Sequence, residues 1–164
     1  MATTYEKIQS TTLGSPTSSI TFSSITSAYT DLRLVLVAKD TTGDYPYLRL
    51  NSDSGSNYSL TRLQGDGASA TSSRQTNQTE AFLINGSLTT TIPVLIELDF
   101  FSYAGSTFKT FLNSYSGDYN GSGYAIRMVH LWRSTSAINN INIFVSSGNF
   151  ATGTTATLYG ILRA

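Results

Sequence analysis

The sequence predicts an all-β chain: a two-sheet antiparallel β-sandwich, with a jelly roll as the favoured topology. Three observations lead there. β-Branched and aromatic residues recur in short runs. Gly, Asn, Asp and Ser punctuate those runs at intervals of roughly ten residues, and no segment sustains the i, i+3, i+4, i+7 apolar repeat of a long helix. Several runs have one apolar and one polar face, which suits two sheets packed face to face with their outer sides wet.

In chain order, Leu32, Leu34, Leu36 and Ala38 form a stripe with Asp31 and Arg33 opposite. The runs 47–50, 58–63, 81–84 and 108–111 behave similarly. The cleanest alternation is Ile92, Val94, Ile96, Leu98 and Phe100, with Glu97 and Asp99 on the other face. Tyr124–Trp132 is a further strand, and 138–145 and 156–162 close the chain, for about ten strands in all. No domain boundary or internal repeat is visible, so residues 1–164 are expected to form one domain. Two stretches, 9–19 and 64–78, are long and poor in apolar residues. One belongs to an N-terminal arm of about residues 1–19, and the other, QGDGASATSSRQTNQ at 64–78, reads as a long polar loop. Loops of that length usually bind something, so a neighbouring subunit is expected to hold both segments. Thr3, Tyr5, Ile8 and Leu13 in the arm and Gln64, Asp66, Arg74 and Gln78 in the loop are the candidate protein contacts.

Composition narrows the function. Ten basic and ten acidic side chains cancel, and only 12% of residues are charged. A nucleic-acid partner would call for a basic stripe, so none is expected. Neutrality also lets many copies pack closely without long-range repulsion. With no cysteine there is neither a disulfide nor a thiolate metal site, and no cofactor is implied. MATTYEKIQSTTLGS lacks a signal peptide's apolar core, and no apolar run approaches the ~20 residues of a membrane helix. The expectation is a protein made and kept in the cytosol, or released from it by lysis, with no membrane partner. Sequons at Asn57, Asn77, Asn85 and Asn120 are chance products of a Ser/Thr/Asn-rich chain.

The familiar chemistries find little purchase. The one histidine, His130, lies between Val129 and Leu131 in a strand, where a packed side chain is expected in place of a catalytic base, and no Gly-x-Ser-x-Gly elbow exists. Glu97 and Asp99 share a strand face about 7 Å apart, which a glycosidase pair could use, but partners for a basic residue on the next strand explain them better. NSDSGSN at 51–57 lacks the closing acid of a calcium loop and reads as a turn. Residues 117–123 read as a hairpin end with Asn-Gly chemistry. Tyr103, Tyr115, Tyr119, Tyr124 and Trp132 could present rings to a sugar, but core packing or subunit contact is the expected role.

Three blocks carry a family likeness. The first is MATTYEKIQSTTLGS with Ile20–Ile25. The second is Tyr29–Val35, then Leu48–Asn51 and Asn57–Ser59. The third is Leu131–Trp132, 137–141, 148–150 and the ending 157–161. Together they span nearly the whole chain and resemble small virion proteins of phages of aquatic bacteria. The resemblance implies a capsid decoration (cement) protein, a head fibre or a tail-associated component, with a jelly-roll fold and a trimeric assembly. It places an active site on no residue. The expected function is therefore non-enzymatic: binding and stabilising the outer surface of the major capsid protein shell, by many modest contacts of a homo-oligomer. The alternative is a head-fibre or tail-tip module for a host glycan, which requires exposed aromatics beside polar groups. A depolymerase using Glu97, Asp99 and Asp118 is a weaker third.

Overall fold

A computed structural model describes residues 5–162. They form twelve strands: β1 Tyr5–Thr12, β2 Ser19–Phe22, β3 Asp31–Ala38, β4 Pro46–Leu50, β5 Tyr58–Gly65, β6 Ala70–Gln78, β7 Ala81–Phe82, β8 Val94–Phe100, β9 Lys109–Asp118, β10 Gly123–Trp132, β11 Ile141–Val145 and β12 Thr155–Ile161. All pairs are antiparallel. The large sheet has the order β1-β12-β3-β8-β9-β10-β5-β6 and the small one β2-β11-β4-β7.

Setting aside the two hairpins β5–β6 and β9–β10 leaves β1-β12-β3-β8 in one sheet and β2-β11-β4-β7 in the other. Successive strands then alternate between the sheets except at β4 and β7, which pair within the small sheet, and the nested pairing that results is the connectivity of a jelly roll. The two hairpins add to one side of the large sheet and make it twice as wide as its partner.

Alternation decides what is inside. Leu32, Leu34, Leu36 and Ala38 on β3 and Val94, Ile96, Leu98 and Phe100 on β8 are all sealed from solvent, each large side chain contributing about 1.5–3 kcal/mol. Leu48, Leu50, Ile141 and Ile143 meet them from the small sheet. Leu83, Ile84, Leu88, Tyr103, Ile138 and Phe150, all outside strands, belong to the same core. Asn113 Nδ2 donates to the Leu83 carbonyl at 2.7 Å and so ties segment 83–88 beneath β9. The β9–β10 turn is the Asn-Gly hairpin that the sequence indicated: Asn120 (φ 57°) and Gly121 (φ 120°) sit between Tyr119 N–H and Ser122 O, bonded at 2.8 Å.

Two expectations are corrected. The N-terminal stretch is not an arm: residues 5–12 are β1, Thr17 bridges Phe150, and residues 19–22 are β2. Nor is 64–78 a loop. It completes β5, turns at 66–69 and runs back as the nine-residue β6. Both segments are ordered by the chain's own backbone hydrogen bonds and need no neighbouring subunit for it. A strand wet on both faces has no apolar stripe to betray it, which is why these two read as irregular.

Candidate interaction surface

The groups with catalytic potential are already engaged. His130 points inward from β10, is 1% exposed, and stacks on Phe111 at 4.7 Å between centroids. Neither ring nitrogen has a hydrogen-bond partner among the described residues, and burial pushes its pKa down to about 3. Arg33 on β3 donates to Asp99 Oδ1 at 3.0 Å, directly across the β3–β8 pair, and to Glu97 beside it. The two carboxylates are thus a structural pair around one guanidinium. The 51–57 segment is a turn: Asn51 and Ser52 both have positive φ, and Asp53 N–H bonds Leu50 O at 2.9 Å. The Asp53 carboxylate accepts from Trp132 Nε1 (2.7 Å), Asn57 Nδ2 (2.9 Å) and Gly55 N–H (2.8 Å). Burial disfavours its charge, but the bonds from Trp132, Asn57 and Gly55 outweigh that and hold the carboxyl below its ordinary range. Lys109 is sealed inside and donates to the carbonyls of Gly105 (2.7 Å), Thr107 (2.5 Å) and Thr135 (3.4 Å), tying two loops to the start of β9.

Of the aromatics weighed as sugar platforms, Tyr103, Tyr115 and Trp132 are buried and Tyr119 is half-buried, its hydroxyl bonded to that of Tyr115. Only Tyr124 reaches the surface. It borders an open basin of about 1000 Å³ between the β5–β6 and β9–β10 turns, with Asp66 and Asp118 at its rim. Those acids cap their own turns, Asp66 accepting from Ala68 and Ser69 N–H and Asp118 from Asn120 N–H. A different aromatic group lies on the outer face of the small sheet. Tyr47, Phe82 and Phe144 are cross-strand neighbours with ring centroids 5.0 and 5.6 Å apart. The Arg49 guanidinium sits 4.9 Å over Phe144 and pairs with Glu80 at 3.0 Å.

The outer face of the large sheet is wide and mixed. Strand register places Val35, Glu97, Ser114, Arg127, Leu63 and Ser72 in one cross-strand row. The row beside it runs Arg33, Asp99, Leu112, Val129, Thr61, Arg74. Another begins with Val37 and Leu95. Leu63 is 59% exposed, Val129 40%, and Val37 and Leu95 each 37%. Side chains of this size standing half-wet among Ser and Thr make a broad surface that is apolar without being greasy.

The candidate contact residues scatter across this frame. Thr3 lies outside the described residues. Tyr5 stands exposed at one end of β1, edge-on to Tyr159. Ile8, at the β1 bulge, and Leu13 pack against the core, so both are internal contacts. Gln64 accepts from Asn85 Nδ2 at 2.5 Å, Arg74 donates to Thr61 Oγ1 at 3.3 Å, and Gln78 donates to the Thr76 carbonyl. The residues that form the exposed face, Leu63, Leu95 and Val129 foremost, were read as strand but not as surface. Their parity opposite the buried members of their own strands is the signal that identifies them.

No protein-family model matches the chain, and no curated protein sequence matches it. Among solved structures, the galectin LEC-6 of Caenorhabditis elegans aligns over 94% of this chain and 96% of that one, at 13% identity and a TM-score of 0.37.

Proposed function

We propose that the protein is a non-enzymatic structural component of a phage virion, a decoration protein that lays the outer face of its large sheet on the major capsid shell. The observation that carries this reading is that face: eight strands wide, with Leu63, Val129, Leu95 and Val37 half-exposed among Ser and Thr. Short polar side chains lose little rotamer entropy when a partner covers them, and the aliphatic ones supply apolar area. One such contact is weak. A homo-oligomer on a shell engages several at once, and linkage multiplies their effect without any new contact. On this reading the chain is made in the host cytoplasm and resides on the particle surface, with protein partners and no nucleic acid.

The test is co-sedimentation with capsids stripped of their decoration, followed by the shell's melting temperature. Wild-type chain should pellet with the shells and raise their Tm, while Val129→Lys and Leu63→Asp should pellet at least tenfold less while melting alone like wild type. If wild type fails to pellet, or both variants pellet as well as it does, the reading fails.

The Tyr47–Phe82–Phe144 group with Arg49 favours one alternative, a head-fibre or tail-tip module for a host glycan, since aromatic rings beside charged groups suit a pyranose. A glycan array separates the two: binding that Tyr47→Ala abolishes, with no capsid binding, selects the alternative.

A further inference from the structure

We infer that β6 is a self-pairing edge, through which two copies of this chain join their large sheets antiparallel about a two-fold axis at Ser72. The sandwich has four sheet edges, and three of them are protected. β2 is four residues long and β7 two, too short to template another strand. β1 carries Glu6 and Lys7 and breaks its register with a bulge between Lys7 and Gln9. β6 breaks its register near Asn77 (φ 55°), opposite Tyr58–Leu60, but before that it runs unbroken over Ala70–Gln75 with one charge, Arg74, no proline, and both faces largely open to solvent.

The hydrogen-bond parity of β6 defines what can dock there. The turn is closed by Asp66 N–H donating to Ser69 O. Bonded pairs alternate from that point, so Thr71, Ser73 and Gln75 bond inward to Gln64, Arg62 and Leu60. Ala70, Ser72 and Arg74 therefore aim their N–H and C=O groups away from β5, at the free edge. Water satisfies that row in the monomer, and among protein partners only an extended backbone does. A second β6 does so in few registers. Centring the axis on Arg74 sets two guanidinium groups face to face, and centring it on Thr71 or Ser73 leaves only two bonded pairs among the outward residues 70, 72 and 74, against three when it lies on Ser72. Centring it on Ser72 pairs Ala70 with the partner's Arg74 and keeps the two arginines about 14 Å apart along the strands. The inference uses the edge alone and does not need the virion reading, because its test is made in solution on the isolated full-length chain.

The chain has no cysteine, which makes disulfide mapping clean. Opposed residues of a bonded antiparallel pair have Cα atoms about 5.5 Å apart, within disulfide reach. Ser72→Cys should oxidise to a covalent dimer. Ala70→Cys and Arg74→Cys should each form no disulfide-linked dimer alone and cross-link when mixed. Ser72→Pro removes an outward N–H and no intrachain bond, so it should keep the wild-type Tm and raise the dimer dissociation constant at least tenfold by sedimentation equilibrium. A wild-type chain that is monomeric at roughly 0.1 mM, the regime of a weak contact, would overturn the inference. So would cross-linking of Ala70→Cys to itself as readily as to Arg74→Cys, or a Ser72→Pro chain that self-associates like wild type.

Discussion

Lowering the pH from 7.5 to 5.0 should cost this fold about 2 kcal/mol through His130 alone. The imidazole has its ordinary pKa of 6.5 when unfolded and about 3 in the core, where burial penalises the charged ring and neither nitrogen finds a partner. Below pH 6.5 the unfolded chain takes up a proton that the folded chain refuses. Stability is therefore fully present above 6.5 and falls by ~1.4 kcal/mol for each further pH unit until the folded value is reached. At pH 5.0 the loss depends almost entirely on the unfolded value, because the folded one lies two units lower. Trp132 supplies the assay. It is the sole tryptophan and 2% exposed, so urea unfolding shifts its emission from a buried to a wet environment. His130→Leu has no proton to take up, and carboxylates titrate alike in both proteins. The gap between variant and wild type should widen by about 2 kcal/mol in the variant's favour from pH 7.5 to 5.0. Parallel stability curves for the two proteins across that range would refute the reasoning.

Asp53→Ala should lower stability by roughly 2–3 kcal/mol at neutral pH, because Trp132 Nε1, Asn57 Nδ2 and Gly55 N–H lose their shared acceptor. Its folded pKa is depressed, so the stabilisation is present above the ordinary carboxylate range and is lost as the pH falls through the folded value; the urea midpoints of wild type and variant should converge in acid. Gly160→Ala drives a Cβ into the Tyr29 ring and should cost about 1–3 kcal/mol, read as a fall in Tm. Arg33→Met leaves Glu97 and Asp99 without their guanidinium, yet all three side chains are partly solvated. The loss should be under about 1 kcal/mol and shrink further in molar salt, as equilibrium unfolding at two ionic strengths will show.

What the sequence disclosed follows from what burial writes into it. β3 and β8 were readable residue by residue, since each sets a sealed apolar face against Arg33 or against Glu97 and Asp99, and the pairing of those acids with a basic neighbour followed from strand geometry. His130 between apolar neighbours was readable for the same reason. The strands β1 and β6 left no such trace, because their stability comes from backbone bonds on one side only and every side chain type tolerates that position. Lys109 misleads for a different reason. Phe108 and Phe111 fall on opposite faces of β9, and parity with Asn113 and Tyr115 sends the lysine inward and Phe108 out to 53% exposure. Only the three loop carbonyls, supplied from residues 105, 107 and 135, make that tolerable, and no local pattern announces them. The Tyr47–Phe82–Phe144 group was overlooked because its members lie far apart along the chain and meet only once β4, β7 and β11 are in register.

The position of the last two strands governs when the fold can form. β12 lies between β1 and β3, and β11 between β2 and β4, so each separates two strands made early in synthesis. Until residues 141–161 leave the ribosome, neither sheet of the jelly roll can close, and the leucines of β3 have no complete floor. Closure of both sheets should consequently wait until residues 141–161 have emerged and be limited by closure of long loops, with the local hairpins β5–β6 and then β9–β10 as the earliest structure on the nascent chain. A truncation before Thr155 would open the large sheet in its interior, which no edge residue could repair.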